Sequence, residues 1–293
     1  MVMASKNRNS PVLFFGSLFS HRIYPQVTRV FLFCFCVICQ ICGLTACQPS
    51  VPEAGSSAIS DTDGAMIIFI PAGEFLMGSS ELDPDADDDE MPQHKVFVSA
   101  FWMDRTEVTN AMYRVCVEAG KCTEPARSRR YHLPEYANHP VLGVSWDQAV
   151  MYCAWAGRRL PTEAEWEKAA RGLDDRLYPW GNESPDASRL NFDHLVDDTM
   201  EVGRYSDGAS PYGVLDMSGN VWEWVFDGYD ESYYFKSPYA DPQGGTPVNR
   251  RVLRGGSWST QARNVRVANR FWAFPGRNDT DGFRCALSGV SPR

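Results

Sequence analysis

A chain of 293 residues that is 44% hydrophobic and 22% charged is long enough to bury a sizeable core, and this composition excludes a collagen-like, low-complexity or wholly disordered chain. A formal net charge of −9 argues against nucleic acid as the main partner, because phosphate binding rests on clustered Lys and Arg. Calcium or a cationic surface suits such a balance better.

The first 46 residues differ in kind. They carry Lys6, Arg8, Arg22 and Arg29, no acidic residue, and then an apolar run from Val30 to Leu44. A basic region followed by an apolar one is the order of an export signal. The run falls short of the roughly 20 apolar residues of a bilayer-crossing helix, and Gln40 interrupts it, which favours a cleaved signal over a transmembrane anchor. It ends in Leu44-Thr45-Ala46-Cys47, which resembles the lipobox of bacterial lipoproteins. Cys47 is then the expected lipidation site and residues 1–46 the signal, discarded together with Cys34, Cys36, Cys39 and Cys42. Losing four cations takes the formal charge from −9 to −13. Residues 47–64 combine Pro, Ser and Gly with few large apolar side chains and read as a flexible tether. The expected location is the cell envelope, lipid-anchored on the periplasmic or outer-membrane side.

The folded domain is expected over residues 65–293. Met66 to Ile70, the turn Pro71-Ala72-Gly73 and Glu74 to Gly78 read as a β-hairpin. Asp83 to Glu90 holds six carboxylates in eight residues without an EF-hand spacing and reads as a solvated loop. Lys95 to Met103 resumes a strand-like pattern. Three helices are signalled by their ends. Thr109 caps one that runs to Gly120, Ser145 and Gln148 form a capping box for one ending at Gly157, and Thr162 and Glu165 another ending at Gly172. The remaining third is rich in Gly, Asp, Asn, Trp and Pro, with strand-like pieces at Arg251 to Trp258 and Gly282 to Leu287. Loops of that length need restraints, which directs attention to disulfides, ions and buried aromatics.

After Cys47 four cysteines remain, at 116, 122, 153 and 285, and an even number in an exported chain suggests disulfides. A chain reversal at Gly120 can bring Cys116 to Cys122, leaving Cys153 and Cys285 to close a long loop. A zinc site of all four is the rival, although the usual close C-x-x-C pairs are absent.

Several stretches together carry a resemblance. The first are Pro71-Ala72-Gly73-Glu74-Phe75-Leu76-Met77-Gly78-Ser79, Glu107-Val108-Thr109-Asn110 and Pro140-Val141-Leu142-Gly143-Val144-Ser145-Trp146. Gly157-Arg158-Arg159-Leu160-Pro161-Thr162-Glu163-Ala164-Glu165-Trp166-Glu167 and Pro179-Trp180-Gly181-Asn182 follow, then Gly219-Asn220-Val221-Trp222-Glu223-Trp224, Arg254-Gly255-Gly256-Ser257 and Gly282-Phe283-Arg284. In order and rough spacing they resemble the formylglycine-generating enzyme (sulfatase-modifying factor) family over almost all of residues 65–287. The resemblance implies an irregular α+β fold related to the C-type lectin domain, with few regular elements and long ordered loops. It also implies pairing of Cys153 with Cys285.

The family's enzymes hold copper with two cysteines soon after Gly-Gly-Ser. Here that stretch is Trp258-Ser259-Thr260-Gln261-Ala262-Arg263-Asn264-Val265, and no cysteine occurs between Cys153 and Cys285. Soft Cu(I) selects thiolate, so no copper is expected. A second branch, the ergothioneine-type iron oxygenases, draws its ligands from a separate helical domain with no counterpart in these residues. His94, His132, His139 and His194 are scattered without a metal-ligand spacing.

An oxygen-only constellation remains. Asp216 and Glu223 stand seven residues apart on a glycine-containing turn, which suits either a hard cation or simple turn capping. The resemblance implies structural calcium, held by Asp216, Glu223 and the carbonyls of Gly219 and Val221, with Asn191 and Phe192 in a second site that Asp193, Asp197 or Asp198 completes. Trp146, Trp166, Trp222 and Trp224 read as core. Trp258, Ser259, Thr260, Arg263, Asn264 and Trp272 flank the place of the family's substrate peptide and are the candidate substrate-binding residues. The expected function is a membrane-anchored, non-catalytic binding or scaffolding module with a peptide or protein partner in the envelope. The alternative is an exported enzyme of the same family, a metal-dependent oxidase or a peptide- or pigment-modifying enzyme.

Overall fold

A computed structural model describes residues 51–126, 130–245, 249–276 and 279–291. Cys47 and the signal lie outside the described residues.

Local chemistry places the helices. Thr109 accepts from the Met112 amide at the start of α1 (Asn110–Glu118), and complete capping boxes open α2 (Trp146–Trp155) and α3 (Glu163–Arg171). Gly172 closes α3 at φ 79°, where a Cβ would meet Pro211 at 2.7 Å. All nine residues of α3 are buried, Glu163, Glu165, Glu167, Lys168 and Arg171 among them. A helix buried on every side with five charged side chains stands only if each charge finds a partner inside.

Among the described residues ten short strands frame it: β1 (Ser57–Ile59), β2 (Met66–Ile70), β3 (Gly73–Met77), β4 (His94–Val98), β5 (Phe101–Asp104), β6 (Trp222–Gly228), β7 (Arg251–Arg254), β8 (Phe271–Ala273), β9 (Asp281–Phe283) and β10 (Ala286–Ser288). They form a sheet of order β1-β2-β5-β10, the pair β3-β4, and a sheet of order β8-β7-β6-β9 in which β6 and β9 run parallel. One core cluster gathers Ile70, Phe75, Val98 and Phe101 around Trp166 of α3. Another gathers Tyr113, Tyr152, Trp224 and Phe283 beside the Cys153–Cys285 disulfide. Both expected disulfides are present, with Cα atoms 5.3 Å apart for Cys116–Cys122 and 5.6 Å for Cys153–Cys285.

Three expectations are corrected. β2 and β3 do not pair as a hairpin: β2 lies between β1 and β5, while β3 pairs with β4. The reason is the corner between them, where buried Lys168 donates to the carbonyls of Pro71 (2.8 Å), Gly73 (2.9 Å) and Val98 (3.2 Å) and turns the chain into a different sheet. The strand-like run from Lys95 to Met103 is likewise broken into β4 and β5, the break held where Asp241 accepts from the Ser99 amide and hydroxyl, each at 2.7 Å. The expected tether over 47–64 includes β1, which pairs through Ser57↔Ile68 and Ile59↔Met66, and Asp63, which is ion-paired to buried Arg158. Main-chain hydrogen bonds hold this edge strand, with only Ala58 packed on the apolar cluster of Ile67, Phe69 and Trp102, so composition does not reveal it.

Candidate binding groove

Gly255 and Gly256 end β7 at φ 93° and 78°. A Cβ on Gly256 would stand 2.7 Å from Val265 and 3.1 Å from the Asn264 carbonyl, so only glycine lets the two segments approach this closely. The Ser257 amide donates to Thr260 Oγ1 (2.9 Å), and a 3-10 turn follows at Ala262–Val265. Ser257 Oγ lies 3.2 Å from Ser259 Oγ and 3.0 Å from Thr260 Oγ1.

Two sequence features left apart meet here. Arg266, fully buried, forks onto Glu90 at 2.7 and 2.8 Å, reaches Asp83 at 2.9 Å and donates to the Asp85 carbonyl at 2.6 Å. Arg263 bonds Asp87 at 2.7 Å, and Arg270 donates to the Asp89 carbonyl at 2.8 Å. The acidic stretch from Asp83 to Glu90, expected as a solvated loop, is therefore clasped by the Arg263, Arg266 and Arg270 side, with Asp89 and Glu90 buried in the 3-10 turn Asp88–Glu90. Burial alone pushes the Glu90 carboxyl up, but Arg266, Ser79 and Asn269 outweigh it and hold the group below the usual carboxylate range. Glu163 is held low in the same way by Arg270 and Arg254 against its burial.

Between this clasp and β8 lies a groove of about 670 Å³. Ser259, Thr260, Arg263 and Asn264 line it, as do Asp87, Gln261, Asn269, Trp222 and Phe271. Phe271 is exposed and stacks on buried Trp222, centroids 5.1 Å apart. Trp258 and Trp272 lie outside the lining. Trp258 packs edge-on against His194 with centroids 5.2 Å apart, and its main-chain N–H donates to the Asn220 carbonyl. Trp272 is the neighbour of Phe271 on β8, so its side chain takes the opposite face and packs on Tyr229 under the Arg250 guanidinium. The period-two rule applied to Phe271-Trp272 is the signal that separates them.

The calcium ligands divide. Glu223 accepts from Arg284 Nε (2.7 Å) and Nη2 (2.6 Å) and from Trp166 Nε1 (2.9 Å), so its carboxylate is already neutralised and a cation beside it would face the guanidinium. Asp216, at φ 57°, accepts from the Gly203 amide at 2.5 Å and adjoins buried Glu107. Burial, and then repulsion from Asp216, pushes Glu107 well up, while burial pushes Asp216 up against the hydrogen bonds from Gly203 and Glu107, which favours a proton in that pair. With Glu223 paired to Arg284 and Asp216 paired to Glu107, the set built on Asp216 and Glu223, with the Gly219 and Val221 carbonyls, does not fit the ion. The Asn191 set does fit on one observation. Asn191 is buried, its amide donates to the Asp198 carbonyl at 2.7 Å, and its Oδ1 is buried without a hydrogen-bond partner.

Short helices around irregular sheets, long loops pinned by buried ion pairs, and a groove on the loop side define an α+β domain of the C-type-lectin-like kind. The chain belongs to the sulfatase-modifying factor family: residues 54–288 match the model of the sulfatase-modifying factor enzyme 1-like domain. It is 36% identical over 278 residues to the formylglycine-generating enzyme of Streptomyces coelicolor, covering 75% of this chain and 88% of that protein. It is 39% identical over 243 residues to the protein named serine/threonine-protein kinase pkn1 of Chlamydia caviae, covering 75% of this chain. The chain spans only 37% of that relative's length. Among solved structures, PvdO from Pseudomonas aeruginosa superposes with a TM-score of 0.70 at 25% identity, over 80% of this chain and 99% of that one. Treponema denticola variable protein 1 shares the fold at a TM-score of 0.61.

Proposed function

We propose that this chain is an exported lipoprotein, anchored to an envelope membrane through Cys47, whose family domain is a non-catalytic binding or scaffolding module. The carrying observation is the state of its sulfur. The cysteines at 116, 122, 153 and 285 are all in disulfides, and the segment after Gly256-Ser257 offers Ser259 and Thr260 hydroxyls where the resemblance to the enzymes calls for a thiolate pair. Hydroxyl oxygen is a poor ligand for Cu(I), so this segment supplies no copper site. Calcium enters this reading as a structural ion at Asn191, with the Phe192 carbonyl as its neighbour in the set.

The test is turnover. A cysteine-containing sulfatase peptide incubated with copper-loaded protein should keep its thiol by mass spectrometry. Copper-dependent loss of that thiol, or stoichiometric copper or iron in protein purified from the native envelope, would overturn the proposal in favour of an enzyme.

A further inference from the structure

The full charges lining the groove are answered within the protein. The Arg263 guanidinium bonds Asp87 at 2.7 Å, and buried Arg270 forks onto Glu163 at 2.7 and 3.1 Å. A charged ligand would have to break such a pair to gain one of its own. The Asn269 amide is spent on Glu90 at 3.2 Å, which leaves as neutral polar groups the side-chain amides of Gln261 and Asn264 and the hydroxyls of Ser259 and Thr260. Each amide brings both donors and an acceptor.

The apolar part is a platform. Phe271 is 49% exposed, and its other face stacks on Trp222 at 5.1 Å with the planes 27° apart. The backing holds the ring, so a flat apolar surface is presented with little freedom left to lose on binding.

The main chain of the groove floor is turned inward. The carbonyls of Ser257, Trp258, Thr260 and Gln261 accept from Thr260, His194, Asp193 and Asn264, and that of Arg263 from Arg266 Nε. Recognition of an extended peptide by strand addition needs a row of open main-chain groups, and these five carbonyls are already engaged.

We propose that the groove binds an uncharged oligosaccharide. One sugar ring lays its C–H face on Phe271, and the hydroxyls at its edge meet the amides of Gln261 and Asn264. This rests on the reading of the domain as a binding module and gives that module its ligand class in place of a peptide.

Calorimetric titration of the full-length chain with triacetylchitotriose, cellotriose and maltotriose tests it, with the sulfatase peptide run in parallel. At least one trisaccharide should bind saturably, and Phe271→Ala should weaken it about tenfold or more. Phe271→Trp should restore binding, and the pair Gln261→Ala, Asn264→Ala should weaken it again. These side chains are solvent-facing, so an unchanged melting temperature checks that each variant is folded. Heat from none of the three sugars, or binding indifferent to Phe271→Ala, overturns the assignment. Peptide binding without sugar binding removes the oligosaccharide and leaves the module; copper-dependent conversion of the peptide removes the module itself.

Discussion

Buried carboxylates dominate the energetics at the level of single residues. Glu90, Glu163, Glu167 and Glu223 are almost wholly buried, and each is met by a guanidinium: Arg266 for Glu90, Arg254 and Arg270 for Glu163, Arg254 and Arg171 for Glu167, Arg284 for Glu223. Breaking such a pair from one side costs about 3–5 kcal/mol, because the survivor stays charged in a dry interior. That commitment is why the Asp216 and Glu223 spacing misleads: seven residues apart on a glycine turn describes a ligand set well, but a carboxylate's partner is chosen by the fold, here Arg284 from 61 residues away. Asn191 shows the converse, since nothing in its local sequence announces an oxygen left unsatisfied. Calcium should therefore raise the melting temperature through Asn191, a ligand at a hundred times its Kd adding about 2.7 kcal/mol, and a chelator should reverse the gain. Thermal melts of wild type and Asn191→Ala with and without calcium decide it; an unaltered response in the variant places the ion elsewhere.

Helix ends were legible almost to the residue because capping is local: Thr109, Ser145 and Thr162 each bond an amide three positions on. Strand pairing was not, because it depends on distant partners. Pro71-Ala72-Gly73 looks like a hairpin turn until Lys168, almost a hundred residues later, is found holding its carbonyls. The disulfides join elements on two different scales. Cys116–Cys122 closes the end of α1 on itself, whereas Cys153–Cys285 ties α2 to the segment between β9 and β10 across a separation of 132. Chain entropy makes the first worth about 2 kcal/mol and the second about 5 kcal/mol. The pair Cys153→Ala, Cys285→Ala should accordingly lower the melting temperature by roughly 10–20 °C, and the pair Cys116→Ala, Cys122→Ala by less than half as much. Calorimetry of the two variants in parallel checks the ratio, and equal losses would show that neither loop length nor the unfolded chain controls their effect.

For the molecule as a whole, the family and the α+β architecture could be read from motifs spread over the chain, while the domain's start could not. The family match begins at residue 54 and β1 at Ser57, a strand of Ser, Ala and Ile that composition assigns to a linker. Lipidation of Cys47 is the expectation that governs where this domain works. Mass spectrometry of the mature N-terminus should find Cys47 as the first residue, carrying more than one acyl chain, since one chain anchors only weakly. An unmodified Cys47, or upstream residues still attached, would remove the anchor. The placement of the buried ion pairs bears on how such a chain comes to be folded. Synthesis proceeds from the N-terminus, and Glu90, Glu163 and Glu223 emerge first, while Arg254, Arg266, Arg270 and Arg284 emerge last. Until that final stretch is present, enclosing α3 would strand bare carboxylates in an apolar interior. Early collapse is thus penalised by charge, and folding is expected as a late event of the entire chain, closed by ion pairs between residues up to 183 positions apart in the Asp83–Arg266 pair. In these pairs the acid precedes its arginine, so the unfinished polypeptide stays open and shuts only once the arginines have emerged.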